Sequence, residues 1–290
     1  MSNVGYHVFD GDTIIVMTCS DCNTRCEHCY ITYKGNFSKE QLNELVKCFA
    51  DRFEIRINGT EPLLHKEYLE ALKMAGQTKI LTNGLVFKNN FEYIDELKEV
   101  GIKTIGISYH FDIHDSVSHI SKEYLDHLFN VLICKGLNVQ VMTTITSTNY
   151  KLVPQYCNYC YNNGIQRIRF TNFMRQGKGK NLDDYLVLSD DQREEFFHIL
   201  QKEREKYDRD VLRIERCGSF GNSSTLNTNF ECTGGVKSIV ITPDYKIYPC
   251  IFLINKDNEI GYFDNGNIYI RDDFEERKDE CNAVLKLNRR

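Results

Sequence analysis

Through the first 172 residues, short apolar runs rich in Ile, Val and Thr alternate with longer stretches whose apolar residues return at helical spacing. The runs are TIIVMT, FEIRI, KILT, KTIGIS, VQVMTTI and QRIRF, and the stretches between them cover 38–50, 65–75, 91–100, 121–135 and 150–163. Strand and helix repeated in this order predict a parallel sheet, since each strand needs a long crossover before the next can run in the same sense. Right-handed crossovers curl such a sheet into a full or partial barrel with its helices outside. Function in these sheets collects beyond the carboxyl ends of the strands. The polar oddities of this chain fall there: a cysteine loop, NGTEP, TNG and SYHFDIHD after the first four strands. The expected fold is α/β, a partial (β/α)6 TIM-like barrel.

Beyond residue 172 the texture changes. RQGKGKN is a glycine-rich, basic loop, and 189–207 reads as a helix with Ser189 as its N-cap and a solvated charged face. VLRIERCGSFGNSSTLNTNF is polar and loop-like, whereas VKSIVITPDYKIYPCIF reads as a hairpin turned at Pro243 and Asp244. The expected division is a barrel over 1–188, a linker helix over 189–207 and a small C-terminal domain over 208–290.

Hydrophobic residues at 41%, charged residues at 27% and only 4 prolines exclude a low-complexity chain. A net charge of -5 gives no electrostatic ground for a nucleic-acid or anionic-membrane partner. No segment approaches the roughly 18 apolar residues of a membrane helix, and the start lacks the basic and apolar regions of an export signal. A cytoplasmic chain is expected. Its 12 cysteines then read as metal ligands or catalytic groups rather than disulfides. Cys48 and Cys134 fall on apolar faces of expected helices, and Cys157 and Cys160 lie in a helical stretch; core packing accounts for all four. CNTRCEHCY is different. Three thiolates on one loop, Cys22, Cys26 and Cys29, suit a cubane iron-sulfur cluster with three irons held by protein and the fourth open. The rival is zinc, with Cys19 or His28 completing a tetrahedron.

The C-x3-C-x2-C spacing with Tyr30 following resembles the signature of the radical S-adenosylmethionine enzymes. INGTEPLL resembles that superfamily's Gly-Gly-Glu-Pro motif, with Gly59, Thr60, Glu61 and Pro62 in its places and Thr60 where a second glycine is usual. LTNG and ISYHFDIHD are similar to the endings of its third and fourth strands. The resemblance implies that the open iron chelates S-adenosylmethionine and that electron transfer into its carbon-sulfur bond yields a 5′-deoxyadenosyl radical. It further implies that Tyr30, Gly59, Thr60, Glu61 and Pro62 border the cofactor, with Asn83, Ser108 and Thr144 toward its carboxylate and ribose. Each of the last three could equally cap a helix or satisfy a loop.

CTGGVKSIVITPDYKIYPC resembles the opening of the cysteine-rich SPASM extension or its shortened twitch form, except that Tyr245 stands where a glycine usually turns the hairpin. With only Cys281 beyond it, one auxiliary 4Fe-4S cluster is implied, held by Cys232, Cys250 and Cys281. Cys217 is then a fourth ligand, a hydrogen donor to a substrate radical, or a plain thiol. Relatives with such extensions modify ribosomally made peptides by crosslink, thioether or epimerisation, so a peptide substrate is expected. The alternatives are a dehydrogenase or related enzyme acting on a small molecule or nucleotide, and a zinc-binding regulatory protein. An electron donor such as flavodoxin or ferredoxin is implied. Because the first strand begins about ten residues in, no N-terminal peptide-recognition module is expected, and a separate leader-binding protein would serve.

Overall fold

The computed structural model describes residues 5–111, 114–274 and 281–288. All six expected strands form, as β2 (Thr13–Met17) to β7, after a short β1 (Tyr6–Val8) that the pattern did not announce. β2 pairs in parallel with β3 (Glu54–Asn58). β4 (Lys79–Thr82), β5 (Thr104–Ser108), β6 (Asn138–Ile145) and β7 (Arg167–Asn172) form a second parallel ladder, closed by β8 (Arg213–Arg216). Together they make the partial TIM-like barrel. β8 corrects the reading of its stretch as loop: with Ile214 as its single apolar residue it carries no strand signal of its own, and pairing to β7 alone makes it extended.

Hydrogen bonding breaks between β3 and β4, and one side chain spans the break. The Gln77 amide accepts from the Ile57 N–H at 2.6 Å and donates to the carbonyls of Ile57 at 2.9 Å and Lys79 at 2.7 Å. These bonds stand in for the missing ladder.

The helices follow their strands on the outside: α1 (Lys39–Phe49), α2 (Leu69–Met74), α3 (Tyr93–Glu99), α4 (His114–Ser118), α5 (Lys122–Cys134), α6 (Val153–Asn162) and α7 (Asp190–Lys206). Their apolar stripes meet the outward side chains of the strands, such as Ile168 and Phe170 of β7, which are fully buried. None of the described helices is long and apolar enough to cross a membrane. Ser189 caps α7 in a reciprocal capping box with Gln192. Replacing Ser189 with Ala is expected to cost about 1 kcal/mol, seen as a lower urea midpoint at unchanged slope.

Two expectations about the helices need correction. Cys134 ends α5 exposed rather than packed, because the apolar stripe passes through Leu128 and Leu132 instead. The α7 charges are not all solvated. Glu194 accepts hydrogen bonds from the Ser224 N–H and the Thr225 hydroxyl, ordering the polar 223–225 loop, and Glu203 is buried. Cys157 and Cys160 are fully buried, as expected, and Cys48 lies half-buried against Gly266.

The C-terminal strands do not stand apart from the barrel sheet. β9 (Ser238–Ile241) pairs in parallel with β2, and β10 (Ile247–Tyr248), β11 (Gly261–Asp264), β12 (Asn267–Arg271) and β1 continue it in antiparallel order. The β9–β10 hairpin turns at Pro243 and Asp244 as expected. Tyr245, in the glycine's place, takes a positive φ of 58°. Its ring packs against Phe37 and Phe263, which offsets the strain. A short α8 (Asn282–Leu287) follows Cys281.

Candidate active site

The barrel encloses a cavity of about 1020 Å3. Cys22, Cys26, Cys29, Tyr30, Gly59, Thr60, Asn83, Ser108, Thr144 and Cys217 all border it, so ten residues chosen from separate segments of sequence face one space. Cys22 and Cys26 are tied locally through the Thr24 hydroxyl, at 3.1 and 3.5 Å from their sulfurs. Burial pushes the thiols of Cys26 and Cys29 up, and each is raised further by the neighbouring sulfurs. Thiols in that state need a cation to become thiolates. A positively charged cluster core supplies one, and three sulfurs on a loop at the carboxyl end of β2 fit it in donor type and access.

Two other segments brace the loop. The Asn83 amide donates to Asn23 Oδ1 at 2.8 Å and lies 3.7 Å from the Cys22 sulfur, so this side chain positions the cysteine loop. From the other side the RQGKGKN loop donates its Lys178 N–H to the Cys29 carbonyl at 2.8 Å. Gly177, at φ +58°, sits so close that an added Cβ would stand 2.5 Å from that carbonyl. Glycine is required there for approach as well as conformation. The sequence marked this loop as unusual but offered no partner for it.

Gly59 is needed for the same reason. A Cβ there would meet the Cys19 sulfur at 2.8 Å and the Thr18 hydroxyl at 2.9 Å. Cys19, considered for a tetrahedral zinc site, is fully buried behind Gly59 and does not border the cavity. His28 does border it. Its ring meets His110 edge-on at 4.5 Å, and burial pulls its pKa down to about 4, so it is neutral near pH 7. Among the described residues no three Cys, His, Asp or Glu side chains converge on one point as ligands of a single ion do.

Glu61 and Pro62 stand behind the wall. Pro62 opens a buried turn, and Glu61, fully buried, accepts from the Thr82 hydroxyl at 2.7 Å and from the Asn83 N–H at 2.6 Å. The carboxyl thereby ties the loop after β3 to the end of β4, whereas Gln77 ties Ile57 near the end of β3 to the start of β4. Burial pushes its pKa up to about 7 against these bonds.

A second set of thiols lies beside the first. Cys217 follows β8, Cys232 lies in the loop before β9, Cys250 follows β10 and Cys281 precedes α8; Cys250 feels the charge of Cys281, Cys217 and Cys232, and Cys281 that of Cys232 and Cys217. Burial pushes Cys250 and Cys281 up. Tyr30 stands between the two sets, packed edge-on against Phe252 at 4.8 Å, with its phenol raised by burial and by Cys29 on one side and Cys250 and Cys217 on the other. Cys217 borders the cavity as well as this set. Sequence reasoning missed Lys79, Arg167 and Arg169 in the cavity wall; the alternation of Arg and apolar residues in QRIRF was the available signal.

No family model matches the chain. Over 177 residues it is 26% identical to pre-heme d1 synthase of Dinoroseobacter shibae, covering 54% of this chain and 42% of that protein. Over 213 residues it is 24% identical to Fe-coproporphyrin III synthase of Methanosarcina barkeri, covering 67% of this chain and 53% of that one. The chain thus spans about half the length of these curated relatives. In fold it resembles SuiB of Streptococcus suis, solved with its precursor peptide SuiA, at a TM-score of 0.68 and 14% identity over 87% of this chain and 63% of that one. SuiB has also been solved bound to S-adenosylmethionine.

Proposed function

We propose that the chain is a radical S-adenosylmethionine enzyme, which reductively cleaves that cofactor and uses the radical to take hydrogen from a ribosomally made peptide that it thereby modifies. The cofactors implied are S-adenosylmethionine and a 4Fe-4S cluster, which together supply one electron and a 5′-deoxyadenosyl radical. The observation that carries the reading is that Cys22, Cys26 and Cys29 face one cavity with Gly59, Thr60, Ser108 and Thr144. In this reading the three sulfurs hold the cluster, Tyr30 covers it, and Gly59 and Thr60 offer backbone groups to the cofactor's amino end. Ser108 and Thr144 face its carboxylate and ribose, Asn83 holds Cys22 in place, and Glu61 with Pro62 fixes the loop behind. The barrel wall excludes water from the radical. Anaerobic reconstitution with dithionite and S-adenosylmethionine is expected to release 5′-deoxyadenosine; a chain that binds iron yet releases none would sink the reading.

Support for a peptide comes from SuiB, a protein of this fold seen with its precursor peptide, and from a cavity at the upper limit of small-molecule sites. A small-molecule substrate is the second reading, favoured by the names of the two curated relatives. Turnover with a candidate precursor peptide encoded beside this chain separates them.

Cys217, Cys232, Cys250 and Cys281 are proposed to hold one auxiliary 4Fe-4S cluster in a twitch-like C-terminal part. The charge of Cys217 and Cys232 reaches both Cys250 and Cys281, which supports Cys217 as the fourth ligand rather than a hydrogen donor. A Cys217→Ala variant is then expected to lose up to about four of about eight irons. Full iron content with lost turnover would make Cys217 the donor instead.

A further inference from the structure

A packed TIM barrel fills its interior with Val, Ile and Leu, but the interior here is lined with cations. On β7 the apolar residues Ile168 and Phe170 are buried, whereas Arg167 and Arg169 border the cavity, and Lys79 joins them from β4. Lys79 and Arg167 are the first residues of their strands, so this floor lies at the opposite end of the barrel from the cysteine loop. Two acids also border this floor, each paired with a neighbouring arginine: Glu54 takes two bonds from Arg56, at 2.8 and 2.9 Å, and Glu215, whose charge also reaches Lys79, pairs with Arg213 at 2.6 Å. Among the described residues Lys79 donates to the Gln140 amide oxygen, and Arg169 Nε is buried without a hydrogen-bond partner. Among the described residues neither Arg167 nor Arg169 has a carboxylate partner. Burial and the two arginines pull the Lys79 ammonium down to about 8. A second cavity of about 570 Å3 shares Arg169 and Glu215 with the first and adds Arg204, Arg209, Arg213 and Arg216.

We propose that Lys79, Arg167 and Arg169 form an oxyanion subsite on the barrel floor, which takes a carboxylate or phosphate group of the substrate while its reacting carbon faces the cysteine loop. Cations held half-buried beside one another, with more positive than negative charge around them, are costly to desolvate. An arriving anion relieves that cost, and the planar guanidinium of Arg169 suits two-point binding of either group. The subsite deepens the proposed function and rests on it only for the identity of the reaction; the anion site itself stands on the geometry.

The test uses the full cluster-loaded chain, titrated calorimetrically with glutarate in one series and inorganic phosphate in another, at an ionic strength held constant with chloride. Saturable binding of at least one probe is expected, weakened about tenfold or more by Arg169→Gln and by Lys79→Gln and unchanged by Lys73→Gln on the surface of α2. Binding of glutarate alone identifies a carboxylate, binding of phosphate alone a phosphate. If neither probe binds beyond chloride, or if both floor variants bind as the unaltered chain does, the subsite is refuted; circular dichroism confirms folding, and either variant alone suffices. Release of 5′-deoxyadenosine from the same preparation reports on the proposed function separately. Its absence beside intact anion binding refutes that function and leaves the subsite standing.

Discussion

Replacing Cys26 by Ala is expected to abolish cofactor cleavage while leaving the fold intact. Cys26 sits on a loop of partly exposed residues and contributes to no buried apolar cluster, so its loss opens no core cavity. What it removes is one corner of the three-thiol set. Two thiolates on a loop do not retain a cubane against solvent and oxygen, so about four irons should leave. Release of 5′-deoxyadenosine should fall by at least about a thousandfold, some 4 kcal/mol of transition-state stabilisation. The measurement is iron content and 5′-deoxyadenosine after anaerobic reconstitution, with thermal unfolding as the control. A variant that keeps its iron and its turnover would remove this loop from the chemistry.

Glu61 carries the second large effect, on stability. Its side chain is fully buried and receives the Thr82 hydroxyl and the Asn83 N–H, so Glu61→Ala strands two donors and leaves a cavity between the ends of β3 and β4. A loss of about 3 kcal/mol is expected. The carboxyl also gives the wild type a pH dependence of unusual sign. Because burial raises its pKa to about 7 from an ordinary 4.5, the folded chain holds this proton more tightly than the unfolded one. The resulting stabilisation is full below about pH 4.5 and is lost as the pH rises through about 7, a decline of about 3 kcal/mol. Urea midpoints across that window should fall for the wild type, relative to Glu61→Gln, which has no proton to lose. Parallel curves would show that Glu61 does not titrate there.

Much of the architecture was open to sequence reading because it is local. Each of the strands β2 to β7 announces itself by β-branched residues over four to eight positions, and the helix signal at Ser189 lies within one turn of the residues it caps. Spacing also grouped Cys22, Cys26 and Cys29, since eight residues of loop cannot spread them far. β8 escaped because Arg213–Arg216 carries almost no apolar residue and is extended only through its partner.

What the sequence determined by itself was the order of the strands, the presence of a thiol loop beyond the first barrel strand and the absence of charge suited to nucleic acid. The tertiary structure decided how distant parts meet. Alternation in QRIRF separates two faces but cannot say which one turns inward; the helices claimed Ile168 and Phe170, and that choice sent Arg167 and Arg169 into the cavity. The clasp of RQGKGKN on Cys29, the Glu61 tie between β3 and β4, and the electrostatic reach of Cys217, Cys232 and Cys281 to Cys250 all join residues far apart in the chain. Such contacts depend on register and crossover geometry, which the periodicity of a single segment does not encode.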